Sequence, residues 1–166
     1  LVSSKTKKQI GFSISSNIDM PFLITAKDVQ SVLSYPLSLK TVETAFKAFG
    51  QGKAYQPPKS YLTFKDGDLR SMPAYINAPR INIAGIKSVT VHPDNQKKFG
   101  LPTVMATILL TDPRNGSNIA VLDGTFITNM RTGAAGGVAT KYLSRKNSRI
   151  MALIGAGMQA RTQLEH

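Results

Sequence analysis

The sequence contains no cysteine, only two histidines and no long apolar run, and each shortage removes a class of function. Without cysteine there is neither a disulfide framework nor thiol chemistry, which fits the cytoplasmic location that we expect. No apolar stretch approaches the ~20 residues of a membrane-spanning helix, so we expect no membrane contact. No cluster of His, Asp and Glu has the spacing of metal ligands. We therefore predict no metal site.

Acidic residues are scarce as well: nine Asp and Glu stand against 21 Lys and Arg, for a net charge of +12. A basic chain can bind nucleic acid, bind an anionic substrate, or be part of a longer protein whose acidic part is missing. The lysines are scattered, and neither a basic helix nor a set of stacking aromatic residues accompanies them. We therefore expect no nucleic-acid partner; the alternative, a nucleic-acid-binding module, would require a salt-sensitive complex.

A glycine-rich turn near the C-terminus carries the most specific pattern. The apolar run 150–154 predicts a buried parallel strand, and Gly155, Gly157 and Ala160 follow it with the spacing of a dinucleotide-binding turn. The glycines permit a tight turn and a close approach of the backbone to a pyrophosphate, and Ala160 keeps the next helix near the strand. The start of that helix offers free N–H groups to phosphate oxygens.

The rest of the chain alternates helical patterns with strand patterns. A capping box at Thr25 and Asp28 predicts a helix over 26–33 that Pro36 ends. Apolar residues at 3.6-residue spacing predict a second helix, and short β-branched runs then predict strands. The second helix has Val42, Ala45, Phe46 and Phe49 on one face. The predicted strands lie around Tyr61 and Thr63 and at 72–76, 81–91, 103–110 and 118–122. A third helix is predicted over 125–145. Its small residues over 133–139 predict close packing against a sheet or another helix.

Several motifs, in this order and at these separations, resemble the ornithine cyclodeaminase/μ-crystallin family, which includes archaeal alanine dehydrogenases and ketimine reductases. The motifs are Pro57 to Lys59, Arg70 to Tyr75, the segment from Gly85 through His92 to Ala106, Met130 to Ala135, and Gly155 to Ala160. The resemblance runs from about Leu23 to the C-terminus.

The resemblance implies an α/β fold: an N-terminal substrate-binding and dimerisation domain with a mixed sheet, followed by the first β-turn-α unit of a Rossmann NAD(P)-binding domain. On this division, residues 1–22 are a flexible basic segment, 23–124 the substrate domain, 125–148 a connecting helix, and 149–166 the start of the truncated nucleotide domain. A homodimer is expected, with NAD or NADP as cofactor.

The resemblance also implies functional residues. Those that line the substrate site are Lys59, Arg70, Lys87 and Arg131, with Lys87 as the catalytic residue. Those that contact the cofactor are Thr103, Arg131, Met158 and Gln159, together with the turn residues Gly155, Gly157 and Ala160.

The chemistry of these side chains suits an amino or imino acid. A guanidinium binds a carboxylate through two parallel hydrogen bonds, and Arg131 near the start of a helix is the best candidate. Lys87 interrupts an apolar strand, so burial is expected to lower the pKa of its ammonium and to make it a proton carrier.

One departure from the family narrows the substrate. Ornithine cyclodeaminases typically carry a glutamate just before Met-Pro, whereas Arg70 occupies that place and repels a cationic side chain. We therefore expect an oxidoreductase that transfers hydride at the α-carbon of a small L-amino acid or imino acid, of alanine dehydrogenase or ketimine reductase type. The alternatives are an ornithine cyclodeaminase, which converts L-ornithine to L-proline and ammonia, and a non-catalytic μ-crystallin-like binding protein. The family's catalytic aspartate would follow His166, so the 166-residue chain alone is expected to be inactive.

Overall fold

The computed structural model describes residues 20–166, and its centre is one seven-stranded sheet. The strands lie in the order β1, β7, β6, β5, β4, β2, and β3 pairs with another part of β4. Their bounds are β1 Phe22–Ile24, β2 Ala54–Tyr55, β3 Ser60–Phe64, β4 Gly67–Ala78, β5 Ile81–Val91, β6 Val104–Thr111 and β7 Asn118–Asp123. The β1–β7 pair is parallel and the other pairs are antiparallel. The predicted mixed sheet is confirmed.

Five helices accompany the sheet in the described part of the chain. They are α1 Ala26–Val32, α2 Tyr35–Gly50, α3 Asn95–Phe99, α4 Thr125–Leu143 and α5 Met158–Glu165. Each of the first two begins at a side-chain cap: the hydroxyl of Thr25 accepts from the backbone N–H of Asp28 in a capping box, and Ser34 caps α2. Pro36 lies in the first turn of α2, where its missing N–H costs no hydrogen bond.

The long hairpin of β4 and β5 positions Lys87. Met72 lies opposite Lys87 on β4, and Ile108 lies opposite it on β6. Side chains alternate between the two faces along a strand, so Lys87 and Val89, two positions apart on β5, lie on the same side of the sheet. That side is covered by α2 and α4, and the buried core includes Val89, Ala106, Ala120, Met130, Ala134 and Val138.

The predicted apolar face of α2 does not enter the core. Phe46 and Phe49 are 51% and 57% exposed, and with Ala45 they line a cleft between α2 and the sheet. The helix itself is confirmed, but its contact with the core is made by the small side chain of Ala48 and by Ser38, which are both buried. Hydrophobic spacing therefore identified the helix, and the structure shows that this face forms a wall of the cleft.

The buried strand predicted over 150–154 is wrong. Ile150 is 93% and Ile154 102% exposed, and this segment has no regular secondary structure. A strand requires a neighbour that accepts its hydrogen bonds, and none of the strands in residues 20–166 pairs with it. The helix expected after the glycine turn is present as α5.

Three short elements were not expected from the pattern: β1, β2 and α3. Strand β1 begins at Phe22, within the segment predicted to be flexible; residues 1–19 of that segment lie outside the described residues. The division into domains stays a prediction.

The small residues of α4 pack against α5, as the composition of that helix predicted. A Cβ added at Gly133 would lie 2.5 Å from the carbonyl oxygen of Thr162, whereas one added at Gly136 would meet only the side chain of Gln163, 3.2 Å away. Gly133 is thus a point of backbone contact between the two helices. None of the helices in residues 20–166 is long and apolar enough to cross a membrane.

This difference makes Gly133→Ala and Gly136→Ala a matched pair. Alanine favours a helix over glycine by about 1 kcal/mol, so Gly136→Ala should leave the chain as stable as before or slightly more stable. Gly133→Ala should lower the free energy of unfolding, because the Thr162 backbone cannot move away without displacing α5. Urea unfolding of both variants measures the difference. Equal stability of the two variants would contradict this packing of α4 and α5.

Candidate functional site

Lys87 lies at one end of an apolar cleft between α2 and the sheet. The cleft has a volume of about 460 Å³ and is lined by side chains of α2, β4, β5 and β6, among them Phe46, Met72 and Ile108. Lys87 is the one charged residue among those that line this cleft in the described part of the chain. An ammonium in such surroundings loses hydration, which favours its neutral form.

Burial, and after it the charges of Arg131 and Lys59, together lower the pKa of the Lys87 ammonium from its usual value of 10.5 to about 8. The shift predicted from the sequence is confirmed. Among residues 20–166 none of these three cations forms a salt bridge. The folded chain therefore gathers positive charges that an anionic ligand would neutralise.

Arg131 projects from the second turn of α4. The surrounding protein lowers the pKa of its guanidinium through loss of hydration, although part of the side chain remains accessible to solvent. The helix dipole acts mainly within the first turn, so the guanidinium charge, and not the helix terminus, is the source of attraction for an anion here.

Arg70 is held by a carboxylate of its own strand. Its Nε and Nη2 atoms donate to Asp68 at 2.6 and 2.9 Å, in a bidentate pair. The Arg70 guanidinium also lies 5.3 Å from the ring centre of Tyr61, its partner on β3, and the Lys59 ammonium lies 5.6 Å from the same centre. Arg70 is thus fixed and largely neutralised, whereas Lys59 has no carboxylate partner in the described part of the chain.

A second cavity, of about 1040 Å³, lies beside the glycine turn. It is bounded by the first residues of β6 and α4 and by the start of α5, and the predicted residues Thr103, Gly157, Met158 and Gln159 all line it. Arg131, Gly155 and Ala160 are not among the lining residues. The fold therefore brings Thr103 to the same cavity as Gly157, which lies 54 positions later in the sequence.

The glycine turn is shaped for a close backbone approach. Gly155 has a φ of +102°, a conformation that side chains disfavour, and Gly157 caps α5 in an extended conformation. Among the described residues nothing lies within 4 Å of a Cβ added at either position. The space in front of the first N–H groups of α5 is therefore open to a ligand, as phosphate binding at a helix start requires.

Gln159 presents an unsatisfied acceptor near this cavity. Its Nε2 donates to Oδ1 of Asn129 at 2.9 Å, while its Oε1 is buried and has no hydrogen-bond partner among residues 20–166. A buried amide oxygen without a partner is costly, and a hydroxyl or amide donor of a bound dinucleotide would satisfy it. The cavity volume, the open turn and this oxygen fit such a cofactor.

Sequence reasoning missed Tyr61, Asp68 and Asn129. Alternation along β3 and β4 contained a signal for the first two, because Asp68 is two positions from Arg70 on one face and Tyr61 pairs with Arg70 across the hairpin. Asn129 and Gln159 are joined only by the packing of α4 on α5, for which the sequence has no local signal.

The described part of the chain is similar to proteins of known family. Residues 20–166 match the profile of the ornithine cyclodeaminase/mu-crystallin family. The alanine dehydrogenase of Archaeoglobus fulgidus is 49% identical over 143 residues, which cover 86% of this chain and 43% of that protein. Two solved structures are similar. One is an archaeal alanine dehydrogenase dimer with bound NAD (TM-score 0.82, 48% identity, 87% of this chain and 44% of that one). The other is the Thermococcus litoralis Δ1-pyrroline-2-carboxylate reductase with NADH and L-proline (TM-score 0.80, 45% identity, 86% and 44%).

The fold and its two cavities define an α/β domain that carries both a cluster of cations and a glycine turn of the nucleotide-binding kind. The family match makes the assignment specific: the chain belongs to the ornithine cyclodeaminase/mu-crystallin family. It spans less than half the length of these relatives.

Proposed function

We propose that the protein carrying this chain is an NAD(P)-dependent oxidoreductase acting on a small L-amino acid or imino acid. The observation that carries the proposal is the Lys87 ammonium, whose pKa is lowered to about 8 by burial and by the charges of Arg131 and Lys59. These groups form a site for a carboxylate with a proton-transferring amine beside it.

The residues divide the chemistry between binding and proton transfer. Lys59 and Arg131 would hold the substrate carboxylate through charge-assisted hydrogen bonds. Lys87 would give a proton to the substrate nitrogen during imine reduction and take it back during amine oxidation. A dinucleotide, when bound beside Gly157, supplies or accepts the hydride at the α-carbon. NAD and NADP stay equal candidates.

The Asp68–Arg70 pair supports a neutral substrate side chain. Asp68 neutralises much of the Arg70 charge through two hydrogen bonds, and the remaining N–H groups of the guanidinium can only donate. A second ammonium, such as that of ornithine, would find neither a free carboxylate nor an acceptor at Arg70. This favours an alanine dehydrogenase or imino acid reductase over an ornithine cyclodeaminase.

The test is NAD(P)H oxidation with pyruvate plus ammonia and with a cyclic imino acid, with ammonia release from L-ornithine measured in parallel. We expect turnover in one of the first two assays. Release of ammonia from L-ornithine alone would establish a cyclodeaminase, and ligand binding without turnover would favour a non-catalytic binding protein.

The cofactor site has its own test in Gly157→Val. The structure has room for a side chain at Gly157, which adopts a conformation open to any residue, so the variant should fold normally. The valine would occupy the space where a pyrophosphate approaches the backbone, and NADH affinity should fall at least tenfold. Gly50→Val, which also has open space around it, is the matched control. Unchanged NADH binding in Gly157→Val would place the cofactor elsewhere.

A homodimer and a cytoplasmic location belong to the same proposal. The similar archaeal alanine dehydrogenase was solved as a dimer, and the absence of cysteine from this chain agrees with a reducing compartment. Analytical ultracentrifugation of the protein tests the dimer.

A further inference from the structure

Tyr61 brings two cations of the candidate site to one aromatic ring. It lies on β3 directly opposite Arg70 of β4, so that both side chains occupy the same face of the sheet. The guanidinium of Arg70 is 5.3 Å and the ammonium of Lys59 is 5.6 Å from the centre of its ring. The residue is 54% exposed, so burial in a core does not explain this position.

The two cations that contact the Tyr61 ring differ in how firmly the rest of the protein holds them. Arg70 is fixed by its bidentate pair with Asp68, and it therefore orients the Tyr61 ring from one side. Lys59 follows two prolines at the start of β3, and the ring is the contact that holds its long side chain in the described structure. Two nearby cations repel each other, whereas the negative face of an aromatic ring attracts both.

The position of Lys59 matters for the chemistry of Lys87. Tyr61 pairs with Arg70, and Arg70 pairs with Val89, which lies two residues after Lys87. The Tyr61 ring and Lys87 therefore share a face of the sheet, and the charge of Lys59 against that ring lowers the pKa of the Lys87 ammonium. A flexible Lys59 that turned to solvent would neither bind the substrate carboxylate nor act on Lys87.

We propose that Tyr61 is a positioning residue, whose ring holds the Lys59 ammonium at the substrate-carboxylate site. The inference rests on the proposed function of that site. The phenol hydroxyl has no part in this role, and the aromatic ring is sufficient for it. Tyr61→Phe should therefore behave as the unaltered chain does, and Tyr61→Leu should not.

The first measurement is the affinity of the 166-residue chain for pyruvate, determined by a nuclear magnetic resonance titration. Tyr61→Leu should weaken binding about fivefold through loss of one cation–π contact to Lys59, and Tyr61→Phe should restore it. Phe64→Leu removes a ring from the same strand that lies against His92 and should leave binding unchanged. Equal binding by Tyr61→Leu, or an equal loss in Phe64→Leu, would overturn the proposal.

The second measurement needs no ligand. After reductive dimethylation with ¹³C, the Lys59 methyl resonance should be shifted upfield by the ring, should stay so in Tyr61→Phe, and should move to the position of a solvent-exposed lysine in Tyr61→Leu. An unmoved Lys59 resonance in Tyr61→Leu would contradict the contact. If the unaltered chain binds no pyruvate, the alanine dehydrogenase form of the proposed function is contradicted, and this resonance still decides whether Tyr61 holds Lys59.

Discussion

Lys87→Met should lower kcat for imine reduction by about 10²- to 10⁴-fold, the range that a positioned proton donor supplies. The methionine has a similar length and suits the apolar cleft, so the substrate and cofactor should still bind. The main loss is expected in kcat because the proton moves only in the reacting complex. Lys65→Met, at the exposed turn between β3 and β4, is the control. Normal turnover by Lys87→Met would make Lys87 a structural residue.

The pH dependence of the same variant provides a second reading. With a pKa of about 8, Lys87 is protonated below that pH and neutral above it. The kcat/KM for imine reduction, which needs the ammonium, should therefore fall as the pH rises through about 8. Amine oxidation needs the neutral amine and should rise over the same interval. In Lys87→Met, neither the fall in imine reduction nor the rise in amine oxidation should be seen near this pH.

The free energy of unfolding should rise over the pH interval in which imine reduction falls. Below pH 8 the ammonium of Lys87 is charged in both states, and burial together with the charges of Arg131 and Lys59 disfavours that charged form in the folded state, where its pKa is about 8 against 10.5 in the unfolded chain. Between those two values the unfolded chain binds more protons, so the free energy of unfolding rises with pH. Lys87→Met should be more stable at neutral pH and should not show this rise. Urea unfolding from pH 7 to 10 measures it.

The lysine at 87 was predictable because it breaks the apolar pattern of a strand, and a charge in such a place must either be exposed or change its pKa. The sheet and its order along the chain were predictable for a related reason. Alternation identifies strands, and the turns after Phe64 and Thr111 join neighbours in the sheet. Local sequence thus indicated the longer strands, β3 to β7, and the exceptional residue within one of them.

What the sequence did not reveal depends on contacts between distant elements. The run 150–154 has the composition of a buried strand, but burial requires a pairing partner, and in residues 20–166 there is none. Phe46 and Phe49 have core spacing, yet the side of α2 on which they lie faces a cleft. The pairing of Arg70 with Asp68, in contrast, is local, and considering alternate residues of the strand together would have identified it.

Arg131→Ala should raise the KM for the amino or imino acid by about 10²-fold, because the substrate carboxylate would lose a charged partner that binds it through two parallel hydrogen bonds. Arg131→Lys should recover part of this loss, since it restores the charge but not the bidentate geometry. The control is Arg145→Ala, an exposed arginine beyond the end of α4.

The pH dependence of kcat/KM distinguishes an arginine in the substrate site from one that is only structural. The charge of Arg131 contributes to the lowered pKa of Lys87, so its removal should raise that pKa and move the kcat/KM profile for imine reduction to higher pH. Arg131→Lys, which keeps the charge, should leave the profile near its original position. Arg131→Ala with an unchanged KM and an unshifted profile would exclude Arg131 from the substrate site. A raised KM together with a shifted profile would show that one guanidinium both binds the substrate carboxylate and adjusts the proton affinity of the neighbouring ammonium.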